Sequence, residues 1–260
     1  MKRVLTVLLA VGLLGAGCND SPTLPDPVDP NAPVAPLVLS SVFPGSLTAG
    51  GTSVFFSFPV PVGPSSIRIM LASVTTGLGD TVTTPLGLGI GIPQGFGCEV
   101  FLSATAVPGL AYQLSTDVEA GTYCLDVSDV GSLTVPVDFA VRIDANPQIV
   151  RGATSSPIVF QSMLTEFGSS SRTFSPPHSG TATVTLDAVG PTPVAVGVGI
   201  GIPDPNGGGC LLSRTVTAGP GTGTLFSMAV ETGVYCVQIF DVGNVVDSAT
   251  FTMTIVHPEG

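Results

Sequence analysis

Four cysteines of this 260-residue chain have the spacing that most directly predicts chemistry. Cys98 and Cys124 lie 26 residues apart, and Cys210 and Cys236 have the same separation. In an exported protein, an even set of cysteines with a repeated spacing indicates disulfides. A metal site and free thiols are the alternatives, but zinc would be favoured by a CxxC pair or a nearby histidine, and the sequence has neither. We therefore predict two bridges, Cys98–Cys124 and Cys210–Cys236.

The titratable residues give weaker indications of chemistry. His178 and His257 have no repeated counterparts and no G-x-S-x-G motif occurs, so nothing in the sequence favours a hydrolase triad. Neighbouring carboxylates are chemically suited to a hard cation such as Ca²⁺, but no calcium-loop motif surrounds them. We expect no catalysis, no cofactor and no bound metal. The weak metal candidates are Asp126, Asp129, Asp241 and Asp247.

Two segments alternate glycine with aliphatic residues, 86–92 and 196–202. In a strand this pattern puts all side chains on one face and none on the other. Glycine within a strand indicates close approach of another backbone or a ligand. The bare face is either a flat docking strip for a glycan or a partner strand, or it is covered by the cystine-bearing loop or the sister domain. The strip residues are Gly87, Gly89, Gly91, Gly197, Gly199 and Gly201.

The N-terminus has the layout of a secretory signal. Lys2 and Arg3 precede an apolar run over 4–14, and small residues lead to Cys18. This layout resembles the lipobox of bacterial lipoproteins, which implies that residues 1–17 are removed and that Cys18 is acylated. An ordinary cleaved signal is the alternative. Residues 18–36 are rich in Pro and Asp and predict an extended tether. We therefore expect an exported protein held at the membrane of the bacterial cell envelope by its N-terminal lipid.

The rest of the chain consists of two copies of one sequence unit. The segment 89–93 (GIGIP) returns at 199–203, and the Tyr-Cys pair at 123–124 returns at 235–236. Such self-similarity indicates a duplicated structural module. We predict two domains, over 37–147 and 148–260.

Most of both copies has a β pattern. Period-two alternation and β-branched residues are punctuated by Gly and Pro at the spacing of a sandwich, which predicts an all-β fold of two tandem β-sandwiches. The weak helix candidate is Gln161 to Phe167. The clearest predicted strands are 53–60, 66–74, 121–128, 135–143, 181–186, 225–230 and 249–255.

The segments 119–129 and 137–143, and their counterparts 231–241 and 249–255, resemble the closing strands of the bacterial pre-peptidase C-terminal domain. The resemblance implies a jelly-roll-like sandwich used as an accessory or binding module. The glycine-rich segment 86–92 occupies the position of an acidic strand in that family, so the resemblance does not imply a calcium site.

Charge and composition narrow the class of partner. Seven Lys+Arg against eighteen Asp+Glu give a net charge of −11, which excludes nucleic acid as a partner. We expect a non-catalytic, lipid-anchored binding, adhesion or structural module with a protein or polysaccharide ligand. The absence of Trp favours protein over glycan, because sugars are usually bound on aromatic platforms. The alternative is an accessory component, binding substrate or glycan, of a secreted hydrolase system.

Overall fold

The computed structural model describes residues 39–51, 53–146 and 154–259. Sixteen strands and no helix run through these residues. The strands of the first half are β1 Leu39–Leu47, β2 Val54–Val60, β3 Ser65–Thr76, β4 Leu86–Gln94, β5 Gly97–Ala106, β6 Leu114–Val118, β7 Gly121–Asp129 and β8 Val137–Ala145. Those of the second half are β9 Ile158–Thr165, β10 Ser169–Phe174, β11 Gly180–Gly190, β12 Val196–Pro203, β13 Cys210–Ala218, β14 Thr224–Val230, β15 Tyr235–Phe240 and β16 Ser248–Val256.

The strands form four antiparallel sheets with one topology used twice. In the first sandwich (β1 to β8) the sheets have the orders β1-β8-β3-β6 and β2-β7-β4-β5. In the second sandwich (β9 to β16) the orders are β9-β16-β11-β14 and β10-β15-β12-β13. This is the strand order of a jelly roll, in which eight strands are wound as two Greek keys. The prediction of two jelly-roll-like sandwiches is confirmed.

Period-two alternation explains how these segments fill the two cores. In β11, Ala182, Val184 and Leu186 are fully buried, whereas Thr181 on the opposite face is exposed. Successive side chains of a strand point to opposite faces, so one face packs inward and the other meets solvent or a neighbour. Each sandwich has its own apolar cluster by this rule.

The helix candidate at Gln161–Phe167 is wrong. Its first residues belong to β9, which pairs with β16, and its last residue lies in the following turn at a φ of 54°. Phe160 and Leu164 of β9 are buried in the second core. The main chain is therefore satisfied by sheet hydrogen bonds with β16, and not within a helical turn.

The predicted domain boundary lies outside the described residues. The first sandwich ends at Ala145 and the second begins at Ile158, while the expected change at 147/148 falls in the segment 147–153. The expected signal peptide, the tether and Cys18 also lie outside the described residues. Those assignments stay predictions.

Candidate functional site

A buried ion pair lies on the outer face of the first sandwich. In β8, Val141 and Ile143 face the core, so Arg142 and Asp144 must face the other way. Both are nevertheless buried, at 4% and 5% exposed, and Arg142 Nε lies 2.8 Å from Asp144 Oδ2. The hydroxyl of Tyr112 donates a second hydrogen bond to the same carboxylate oxygen. A buried charge pair needs such additional partners to offset its desolvation.

The second sandwich covers this ion pair. Arg142 Nη1 donates to the carbonyl oxygen of Val234 at 3.0 Å, and Nη2 donates to the Tyr235 hydroxyl at 3.4 Å. The guanidinium carbon lies 5.0 Å from the centroid of the Tyr235 ring, within cation–π range. Tyr235 in turn donates to the carbonyl oxygen of Leu110 at 3.1 Å. The polar network therefore crosses from one sandwich to the other. We call Tyr112, Arg142, Asp144 and Tyr235 the junction cluster.

Burial and neighbouring charges shift the pKa values of Tyr112, Tyr235 and Arg142. Burial raises the pKa of Tyr112, and the Asp144 charge adds to that increase. Burial also raises the pKa of Tyr235. Burial alone would lower the pKa of Arg142, but the Asp144 charge and the two tyrosines more than offset this, so the pKa rises. Both tyrosines stay neutral and Arg142 stays charged near neutral pH, which suits a structural contact rather than proton transfer.

The edge strand of the second sandwich completes the junction. Ser213 of β13 donates to the carbonyl oxygen of Ala72 in β3, and the hydroxyl oxygens of Thr81 and Thr215 lie 2.7 Å apart. Met70, Ala72 and Leu110 of the first sandwich belong to the apolar cluster of the second. The apolar cluster of the second sandwich therefore extends onto the outer face of the first sandwich at this junction.

An open groove lies beside the junction. Its volume is about 440 Å³, with Ser46, Thr75 and Asp138 of the first sandwich on one side and Leu211 and Leu212 of the second on the other. The Ser46 hydroxyl donates to the Asp138 carboxylate. One wall thus offers hydroxyls and a carboxylate, while the other is apolar. Sequence reasoning missed this groove because its walls come from different copies of the repeat.

The two predicted cystines are confirmed. Cys98 and Cys124 are bonded, with Cα atoms 5.8 Å apart, and Cys210 and Cys236 are bonded, with Cα atoms 6.0 Å apart. The cystine-bearing loop considered above as a cover for the glycine face is wrong, because Cys98 and Cys210 belong to strands β5 and β13. Each bridge joins the two strands that flank β4 or β12 in one sheet. It therefore ties strands within a sheet and does not link the two sheets.

The glycine faces of β4 and β12 are filled by neighbouring strands. A Cβ at Gly197 would overlap the Phe240 ring, and one at Gly199 would lie 2.6 Å from Leu212 Cδ1. Glycine is needed here because side chains of the same sheet cross these positions. This gives the repeated glycines a packing function within their own sheets. The docking function of Gly87, Gly89, Gly91, Gly197, Gly199 and Gly201 stays a prediction.

Asp129 closes a turn after β7. Its Oδ1 accepts hydrogen bonds from the backbone N–H groups of Gly131, Ser132 and Leu133 at 2.8, 3.0 and 3.1 Å, and Oδ2 accepts from Gly50 at 3.0 Å. These N–H groups, that of Gly50 foremost, lower the pKa of Asp129 below its ordinary value. The carboxylate thus holds two loops together.

Asp241 does the same in the second sandwich. Its Oδ1 accepts from the N–H groups of Gly243, Asn244 and Val245 at 2.9, 2.9 and 3.0 Å, and Oδ2 accepts from Phe167 at 3.0 Å. The N–H of Phe167 is the main cause of the lowered pKa of Asp241. The described residues contain no group of three or more His, Cys, Asp or Glu side chains suited to a metal. Metal binding at Asp126, Asp129, Asp241 or Asp247 stays a hypothesis.

Comparison with family models and with curated proteins finds no match to this chain. Among solved structures, a chain of Sulfolobus turreted icosahedral virus is similar at 12% identity, covering 85% of this chain and 94% of that one, with a TM-score of 0.25. A turret protein of the same virus matches at 11% identity, covering 85% and 99%, also with a TM-score of 0.25. A Paenibacillus xanthan lyase matches at 14% identity, covering 85% of this chain but 25% of the lyase, with a TM-score of 0.25. Likenesses at this level do not bear on function.

The described residues contain no helix with the length and hydropathy needed to cross a membrane.

Proposed function

We propose that this chain is a lipid-anchored protein of the bacterial cell envelope that acts as a non-catalytic binding, adhesion or structural module. The observation that carries the proposal is the junction cluster. Arg142 and Asp144 are buried where the two sandwiches meet, and their hydrogen bonds make the two jelly rolls one body. Two jelly rolls joined in this way hold their loops and the groove at fixed relative positions, as a binding or spacing module requires.

The charged side chains described above are engaged in structural contacts, which supports a non-catalytic function. Arg142 and Asp144 hold the junction, while Asp129 and Asp241 hold loops through backbone N–H groups. A catalytic acid or base must instead be free to exchange a proton with a substrate. The proposed anchor rests on the N-terminal layout ending in Cys18, and the two cystines are consistent with export to an oxidising compartment.

Labelling with a fatty-acid analogue in a bacterial host tests the anchor. The full chain should incorporate label and fractionate with membranes, and Cys18→Ala should lose both properties. Ser21→Ala, three residues later in the predicted tether, is the matched control and should keep them. Label that persists in Cys18→Ala, or an unlabelled wild-type chain, would show that the anchor assignment is wrong.

The groove is the proposed ligand site, and a protein segment or polysaccharide with hydroxyl groups suits its mixed walls. The groove also favours the second candidate function, an accessory component of a secreted hydrolase system, because sugar hydroxyls can bond to Asp138 and Thr75. Retention of the full chain on immobilised envelope polysaccharide separates a polysaccharide ligand from a protein ligand. Retention that is lost in Asp138→Ala but kept in the exposed control Asp117→Ala supports a polysaccharide ligand in the groove, which the accessory function requires. No retention contradicts the accessory function and favours a protein ligand or a structural function.

A further inference from the structure

One end of the first sandwich collects the start of β1 and the tip of the β4–β5 hairpin. Leu39 pairs with Ala145, so β1 begins where β8 ends. β3 begins at the same end, where its Ser65 pairs with Val118, the last residue of β6. β7 follows β6 through a short turn, and β4, antiparallel to β7, runs back to this end before Phe96. We call it the Leu39 end, and the other end of the sandwich, where the loop after β3 carries Leu78, the Leu78 end.

The Leu39 end exposes large apolar side chains. Phe96 at the hairpin tip is fully exposed (102%), and Ile92 and Val62 are 56% and 51% exposed. The corresponding hairpin of the second sandwich is polar, with Asp204 accepting a hydrogen bond from the N–H of Asn206 at 2.8 Å. The two copies therefore differ at this tip. Leaving a phenylalanine in water forgoes roughly 1.5–3 kcal/mol relative to burial, a gain that a covering partner at this end would recover.

The hairpin tip is held in place before any partner arrives. The Cys98–Cys124 bridge lies at its base, and Cys124 pairs with Gly91 of β4. A preorganised tip loses little conformational freedom when it is buried in a partner. This suits insertion of Phe96 as a fixed wedge.

The position of Leu39, where β1 begins, points to a membrane as the partner of this end. Residues 18–38 join Cys18 to Leu39, and such a segment spans at most about 70 Å when fully extended. If Cys18 carries lipid, as proposed above, the membrane lies within reach of the end that carries Phe96. An exposed apolar side chain held close to a membrane gains free energy by entering the interface between headgroups and acyl chains. Aromatic side chains are also favoured at the headgroup level.

We infer that the Leu39 end seats on the surface of the bilayer, with Phe96 inserted at the boundary between headgroups and acyl chains. This inference rests on the proposed lipid anchor. Glu99 and Glu119 are exposed at the same end, and Lys2 is the one lysine in the sequence. The contact therefore suits uncharged, zwitterionic lipid and disfavours anionic lipid.

The lack of tryptophan in this chain permits a direct test. Phe96→Trp places a single fluorophore at the Leu39 end, and Leu78→Trp places one at the Leu78 end. Leu78 is the matched control because it is 92% exposed and, like Phe96, lies between two glycines. Each full-length chain is produced in a bacterial host and reconstituted into phosphatidylcholine vesicles. Flotation reports membrane attachment, and emission wavelength and quenching by brominated lipid report burial of the indole.

The expected result is that both variants float, that Phe96→Trp shifts to shorter wavelength and is quenched, and that Leu78→Trp is not. Flotation without a shift or quenching at Phe96→Trp overturns the seating and leaves the anchor intact. Equal quenching of both variants overturns the assigned orientation. Failure of both to float overturns the anchor and the seating that depends on it. Because both positions are exposed, neither substitution should alter the melting temperature.

Discussion

Arg142 Nη2 donates a hydrogen bond to the hydroxyl of Tyr235, at 3.4 Å, and this contact joins the two jelly rolls. The repeat counterpart of Tyr235 behaves differently. Tyr123 is half-buried, donates to the carbonyl oxygen of Glu119 in its own sandwich, and packs against the ring of Phe101 at a centroid distance of 6.4 Å. Duplicated tyrosines thus came to serve two purposes, one internal to a sandwich and one at the junction.

Removing the junction arginine should strongly destabilise the protein. Arg142→Ala leaves Asp144 buried without its partner, which we expect to cost about 3–5 kcal/mol of unfolding free energy. Denaturant unfolding measures this loss. The exposed control Arg172→Ala should change stability by less than about 0.5 kcal/mol. The double variant Arg142→Leu with Asp144→Leu should recover much of the lost stability. If Arg142→Ala is as stable as wild type, the ion pair does not stabilise the junction.

Each cystine should contribute separately to stability. Replacing Cys98 and Cys124 together by Ser should lower the unfolding free energy by about 3–4 kcal/mol, because a closed loop of this size restricts the unfolded chain. The same replacement of Cys210 and Cys236 should have a similar effect. Peptide mapping under non-reducing conditions should recover these two pairs in the wild type. A bridge between Cys98 and Cys210 would be incompatible with one cystine per repeat.

A methyl group at Gly197 should disturb the sheet. Gly197→Ala brings a Cβ into the Phe240 ring, and we expect a loss of about 1–3 kcal/mol from overpacking. Thermal unfolding measures the change. Gly77→Ala is the control, since nothing lies within 4 Å of its Cβ position. Phe240→Leu should relieve part of the effect in the double variant, and equal melting temperatures for the two glycine variants would refute the packing function.

The two turn aspartates should make stability depend on acid pH. Because the folded-state pKa values of Asp129 and Asp241 are depressed, their contribution is fully present above the unfolded-state pKa near 4. It is lost as pH falls through the lower folded-state pKa values. Melting temperature measured from pH 6 downward should therefore fall more steeply in wild type than in Asp129→Asn with Asp241→Asn. Asp117→Asn, at an exposed position, should follow the wild-type curve; identical curves for all three proteins would contradict the assignment.

Much of the fold could be predicted from local pattern. Period-two alternation located strands such as β3, β7 and β16, and the equal cysteine spacing in both copies led to the correct bridges. Alternation failed at Gln161–Phe167, where a short stretch of mixed residues is a strand because β16 is available to pair with it. The sequence of such a segment contains little information about a pairing strand that is distant in the chain.

The sequence by itself determined the all-β class, the duplication and the cystine pairs, since these depend on residue spacing within each copy. Only the tertiary structure decided what covers the outward face of β8. Alternation places Arg142 and Asp144 opposite Val141 and Ile143, a position that usually meets solvent, and both are buried because the second sandwich packs there. The groove between the sandwiches has the same origin. A strand's period shows which side chains share a face, but packing between distant segments determines whether that face meets water or protein.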